Sequence, residues 1–182
     1  MRLKKRFVAL AALVGAIAAI STVAFADVAP GTYTPTASSF NGANAPGSSH
    51  LTSGSPSCTV NANRSIDCSA YVLGGVGRTN ADLSLAASYS ATIDCTNHGG
   101  SLVESHTTSF SASTSATATS TKNGQLSVPA RSVSPFGAPQ ACPNSNWTPS
   151  IRGGTVTLNS FTYTLTFAGF SSAYITITAT DP

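Results

Sequence analysis

Between Ala81 and Cys95 apolar and polar residues alternate. Leu83, Leu85, Ala87, Tyr89, Ala91, Ile93 and Cys95 fall on odd positions, with Ser84, Ala86, Ser88, Ser90, Thr92 and Asp94 between them. A period of two sends consecutive side chains to opposite faces, so the stretch predicts a strand with one dry face and one wet face. At about 3.3 Å per residue it would reach roughly 40 Å, which predicts a bend near Ala86-Ala87. The C-terminal section repeats the signal. Val156 and Leu158 are apolar at even positions, and Phe161, Tyr163, Leu165 and Phe167 at odd ones. The slip of phase at Asn159-Ser160 predicts a tight turn or a bulge. After a turn over Ala168–Ser172, Ala173, Ile175 and Ile177 form a last alternating strand.

The remaining segments supply partners. Cys58 to Val72 predicts a hairpin, because Val60 and Ile66 lie symmetrically about Asn63. Asn97-His98-Gly99-Gly100 predicts a turn that sets Asp94 opposite Glu104. Leu102 to Ala112 has mixed faces and reads as a less buried or edge strand. The Asn123-Gly124 dipeptide predicts a hairpin joining Ala116–Ser120 to Leu126–Val128. Pro129 to Pro149 carries five prolines and reads as an irregular excursion pinned by Cys142 and Trp147. Asp27 to Ser57, rich in Gly, Pro and Ser, reads as a flexible N-terminal arm with one short strand near His50-Leu51-Thr52 and with Tyr33 and Phe40 as anchors. No window beyond the leader has a helical stripe. About seven to nine short strands with turns between them predict an all-β fold, an antiparallel β-sandwich of immunoglobulin-like layout over residues 58–182, with a closed barrel as the alternative.

The first 26 residues change the electrostatics. Arg2, Lys4, Lys5 and Arg6 precede an apolar run from Phe7 to Ile20, and Ala24-Phe25-Ala26 ends the segment. This is the pattern of a secretory signal peptide cleaved after Ala26. The run is short for a membrane span, and no later stretch is apolar enough to cross a bilayer. The product is expected to be secreted and extracellular. Residues 27–182 carry five positive and six negative side chains, a net charge of −1. Nucleic acid and anionic lipid therefore lose their support as partners. An extracellular or cell-wall ligand remains, its identity open.

Four cysteines, Cys58, Cys68, Cys95 and Cys142, in an exported chain predict two disulfides. The register that pairs Val60 with Ile66 also pairs Cys58 with Cys68, at the short Cα separation a disulfide needs. Cys95–Cys142 follows by exclusion. It would clamp the Asn97–Gly100 turn to the proline-rich excursion, where loops at the end of a sandwich carry recognition. His98, Asn146 and Trp147 are the candidate binding residues of that end. No CxxC or HxxxH spacing supports zinc, and no cofactor is expected.

Other chemistry is thin. Gly169-Phe170-Ser171-Ser172-Ala173 departs from a nucleophile elbow, since a strand follows it and no histidine comes after Ser171. Asp94, His98, Glu104 and His106 are the densest titratable cluster. Brought together, Asp94, Glu104 and His106 would make a metal site or an acid/base pair, the basis for a small hydrolase or metal-dependent enzyme; left apart, they are solvated turn and edge residues. Trp147 among Asn144, Asn146 and Thr148 could stack on a sugar, as in a carbohydrate-binding module, or plug a loop. Thr-x-Thr repeats at Thr155/Thr157, Thr162/Thr164/Thr166 and Thr176/Thr178/Thr180 suit an ice-binding array, and suit equally an ordinary solvent-facing strand.

The segment from Tyr89 to Gly100, with Asp94-Cys95-Thr96-Asn97-His98, resembles part of a group of small exported actinobacterial proteins. So do Cys142-Pro143-Asn144 with Asn146-Trp147-Thr148-Pro149, and the ending Ser160–Leu165. The resemblance runs from about Cys58 onward. It implies export and an all-β fold, and it carries no assigned activity and no catalytic residue. The expectation is a secreted, non-enzymatic protein acting by binding or packing at or outside the cell envelope.

Overall fold

A computed structural model describes residues 27–36, 40–137 and 141–180. The leader, residues 1–26, lies outside them. In chain order the described strands are β1 (Gly31–Tyr33), β2 (His50–Gly54), β3 (Cys58–Val60), β4 (Ile66–Cys68), β5 (Tyr71–Gly74) and β6 (Ala81–Thr96). They continue with β7 (Leu102–Ala118), β8 (Leu126–Val128), β9 (Arg131–Val133), β10 (Thr148–Ile151), β11 (Thr157–Phe167) and β12 (Ile175–Thr180). All strand pairs are antiparallel, and the only helical turns among the described residues are two short 3₁₀ segments.

β6 organises the fold. One of its edges pairs with β7 along its whole length, from Ala81↔Ala118 to Thr96↔Leu102. The other edge is shared end to end by two strands. β11 takes the stretch from Ala81 to Ser90, and β10 takes Ile93 to Thr96. β12 then pairs β11. The remaining strands form two smaller sheets, β1-β3-β4-β9 and β2-β5-β8. These face the odd side of β6, as the alternation predicts. Leu83, Leu85 and Tyr89 are fully buried in one cluster with Ile66, Leu73, Leu126, Phe161 and Tyr163. The layers are stitched by Tyr71 and Tyr163, whose hydroxyls lie 3.0 Å apart, and by the edge-to-face contact of Tyr33 with Phe161.

Several sequence expectations change. β6 is one strand of 16 residues, and the phase slip expected at Asn159-Ser160 is a register irregularity between Leu158 and Ser160 of β11. The even face of β6 is exposed at Ser84 and Ala86, but Ser90 is only 2% exposed. At the β11 irregularity Asn159 reaches back, its amide donating to Ser90 Oγ at 2.8 Å, while Ser90 and Ser109 hydroxyls lie 3.2 Å apart. The expected β7 edge strand runs on through Ser113 to Ala118, so Ala116–Ala118 pair with β6 and not with Leu126–Val128. The Asn123-Gly124 turn closes a single bridge, Ser120↔Leu126, and β8 goes to β5.

The segment read as an arm contributes two strands, β1 on β3 and β2 on β5. It begins with an anchor: Val28 is 3% exposed and donates its N–H to Leu158 O at 2.8 Å, and Asp27 accepts the Leu158 N–H at 3.0 Å while pairing with Arg64. Gly75 in the Gly-Gly break has φ +71°, and a Cβ there would come within 2.0 Å of the Ser48 carbonyl oxygen. The glycine thus permits close backbone approach between the arm and the turn before β6.

Candidate functional site

Beyond Tyr89 the β6–β7 hairpin runs past the main core. Its inner face there carries a second small cluster, Ala91, Ile93 and Cys95, covered by Phe110, Cys142, Trp147, Ile151 and Val156. The cover is held covalently. Cys95 is bonded to Cys142, with Cα atoms 5.9 Å apart, and Cys58 to Cys68 at 4.0 Å across the β3–β4 hairpin.

β10 sets the position of the candidate binding residues. Thr148 pairs with Thr96, so Trp147 and Asn97 are the next positions on the two chains. The Asn97 side chain shapes the hairpin turn by accepting the N–H groups of Gly99 and Ser101, both at 3.0 Å. Asn144 shapes the facing loop in the same way, its side chain accepting Asn146 N–H at 2.9 Å and its carbonyl accepting Trp147 N–H at 3.0 Å. The two loops therefore sit at one end of the sheet, His98 and Asn146 exposed and Trp147 half-buried against the small cluster. No hydrogen bond joins these three residues. Trp147 serves as a plug over Cys95 and Ile93, with only part of its surface open.

The titratable cluster divides. The register sets Cys95 opposite Glu104, Asp94 opposite Ser105 and Ile93 opposite His106. The prediction that Asp94 faces Glu104 is off by one residue, because the turn at residues 97–101 shifts the register between Cys95 and Thr96. A one-residue shift moves a side chain to the other face. Glu104 and His106 thus lie on the side of Cys95 and Ile93, 3.7 Å apart between Oε1 and Nδ1. Asp94 lies on the opposite side. It receives Arg152 through Nη2 at 2.7 Å and Nε at 3.0 Å, and the Ser105 hydroxyl at 2.7 Å. The Arg152 hydrogen bonds, then that from Ser105, hold the Asp94 carboxyl below its ordinary value. No group of three or more His, Cys, Asp or Glu side chains among the described residues could hold a metal ion.

A cleft of about 320 Å³ lies where three loops meet: Ala62–Arg64 of the β3–β4 hairpin, Phe136, and Arg152–Gly154 with Val156 before β11. Phe136 is 57% exposed at its rim. Both arginines are already matched, Arg64 with Asp27 and Arg152 with Asp94, so the cleft offers little net charge to a ligand. Apart from Val156, none of these residues stands in a periodic stretch, which is why sequence patterning passes over them.

The even face of the large sheet is a field of small and hydroxyl side chains. Ser115, Ser84, Thr164 and Thr176 stand side by side across four strands, and Ser113, Ala86, Thr162 and Thr178 form the next row. Two of the Thr-x-Thr repeats therefore share this face.

No family model, no curated protein and no solved structure matches the chain. No helix among the described residues is long and apolar enough to cross a membrane.

Proposed function

We propose that this is an exported, non-enzymatic protein that acts at or outside the cell envelope by binding or packing, on a sandwich of immunoglobulin-like layout. The observation that carries the reading is the disulfide-held end of the β6–β7 hairpin. There Cys142 fastens a loop bearing Asn146 and Trp147 beside the turn bearing His98. Two cross-links in one small chain suit an oxidising compartment. Asp27, the residue that cleavage after Ala26 would make the first, is already tied to Arg64 and Leu158. The separation of Asp94 from Glu104 and His106 onto opposite faces weighs against the hydrolase and metal-enzyme alternatives. The carbohydrate-binding alternative needs an open indole, and it is weakened by the packing of Trp147 on the small cluster.

The test is retention of the secreted chain on peptidoglycan, chitin and cellulose, with Trp147→Ala as control, together with affinity capture from the parent culture. Retention that drops in the variant selects the carbohydrate reading. Capture of an envelope component that does not depend on Trp147 supports binding elsewhere on the surface. Turnover of any retained polymer would overturn the non-enzymatic reading.

A further inference from the structure

The longest of the described strands has a strand neighbour on one side only. β7 spans 17 residues, pairs with β6, and is paired on its other edge by no strand among the described residues. Such an edge presents a row of free N–H and C=O groups, and monomeric proteins blunt long edges with proline, lysine, bulges or a covering loop. β7 has side-chain devices only near one end: from Leu102 to Ala118 it contains no Pro, Lys or Arg, and its only ionisable residues are Glu104 and His106, which leaves the edge from Thr107 to Ala118 without any. Nor is its middle fully covered. An open groove of about 380 Å³ runs beside Ser111, Ala112 and Ser113, with Ser132 and Val133 of β9 on its far side.

We propose that β7 pairs antiparallel with β7 of a second copy about a two-fold axis at Phe110, joining the two large sheets into one. This rests on the packing reading of the function. The occupant follows from self-complementarity. With the axis perpendicular to the sheet, Ser111 meets Ser109 of the second copy, Ser113 meets Thr107 and Ser115 meets Ser105, all on the hydroxyl face. On the other face Ala112 meets Thr108, Thr114 meets His106 and Ala116 meets Glu104. No charge opposes a like charge, which cross-strand pairing would penalise. Every other register about a perpendicular two-fold axis shortens the overlap of the strands, so Phe110, the middle residue of β7, marks the pairing that satisfies the most backbone groups. The hydroxyl rows then continue across the junction.

The experiment uses residues 27–182 with both disulfides intact. Sedimentation equilibrium is expected to show a mass that doubles with concentration. Spin labels placed singly at the exposed positions Ser111, Ser113 and Ser115 are expected to report inter-copy separations that increase by about 14 Å at each step, since both copies move two residues at about 3.4 Å each. Ser111→Lys places two like charges beside the axis and is expected to weaken association tenfold or more, with the disulfide map unchanged. A single-chain mass up to the solubility limit overturns the proposal. So does a dimer whose label separations do not follow the gradient, or a chain that stays single and takes up an extended peptide along Ser111–Ser113 instead. If Ser111→Lys fails to fold, the gradient alone decides. Envelope binding by a chain that remains single would leave the proposed function in place and remove this inference.

Discussion

The hydroxyls of Tyr71 and Tyr163 meet at 3.0 Å in the interior, one from β5 and one from β11. Among the described residues each is the other's only hydrogen-bond partner, and burial pushes both phenols above their ordinary value. Tyr71→Phe leaves the Tyr163 hydroxyl buried and unpaired, so a loss of about 1–3 kcal/mol is expected. Replacing both by Phe should cost less than the two single changes added together, because the orphaned group is gone. The pair also sets an alkaline limit. A folded-state value raised above the unfolded one means that the stabilisation is complete below the unfolded tyrosine value of about 10 and is lost as pH rises beyond it. Urea midpoints should be level near neutrality and fall above pH 10. Midpoints level to pH 11 would mean that these phenols ionise as freely in the fold as outside it.

Ser84 and Ser90 share the even face of β6, yet they are predicted to respond in opposite ways to a carboxylate. Ser84 is exposed, and Ser84→Asp should change stability by no more than about 0.5 kcal/mol. Ser90 is buried under Asn159, and Ser90→Asp would place a charge in that space, at a cost on the order of 2–4 kcal/mol. Secreted yield and chemical denaturation of the two variants measure the contrast. Equal tolerance would show that Asn159 swings away readily.

The same two residues show how far the sequence could be read. The alternation of β6 predicts its inward face residue by residue, because a strand between two partners must bury one whole side. It is silent on Ser90: the phase slip at Asn159-Ser160 predicts the irregularity in β11, but not that Asn159 there covers a residue some seventy positions earlier in the chain. The Cys58–Cys68 pairing is legible from the symmetry about Asn63, since a tight hairpin fixes its own register. The β6–β7 turn is longer and irregular, so its register was not legible, and Glu104 came to lie opposite Cys95 instead of Asp94. The second half of β7 gives a weak signal because an edge strand is only half-buried: its inward residues are Thr114, Ala116 and Ala118, hardly more apolar than Ser115 and Thr117 between them. β2 falls where the short strand near His50-Leu51-Thr52 is expected, β1 is too short to show a period, and the cleft at Phe136 is assembled mostly from loops that have none.

Asp94 and Arg152 give a prediction at the acid end. Hydrogen bonds from Arg152 and Ser105 lower the Asp94 value, so the contribution of the pair is present above the ordinary aspartate value and lost as pH falls through the folded one. In an NMR titration Asp94 should ionise below 3.8 in the native chain and move back toward it in Arg152→Gln. Because the pair is exposed, the variant should fold normally. The amides of β10, which this arginine ties to the hairpin, should lose protection first. An Asp94 titration that does not move in Arg152→Gln would mean that Ser105 alone sets it.

The Cys95–Cys142 bond spans 47 positions and holds the loop that carries the chain's one tryptophan; Cys58–Cys68 spans 10 and holds a tight hairpin. In the chain-entropy account the wider loop is worth up to about 4 kcal/mol and the tighter one up to about 3. The two differ more in what they position. Changing Cys95 and Cys142 together to Ala should release the loop, bare Ile93 and shift Trp147 emission to the red while the main core stays folded. Changing Cys58 and Cys68 to Ala should lower the denaturation midpoint and leave the emission in place, since Trp147 packs on the other cluster. Trp147 is the only indole, so the spectrum reports this one position. An unchanged spectrum after loss of Cys95–Cys142 would show that β10 pairing by itself seats Trp147, and the disulfide could then not be what shapes the proposed binding end.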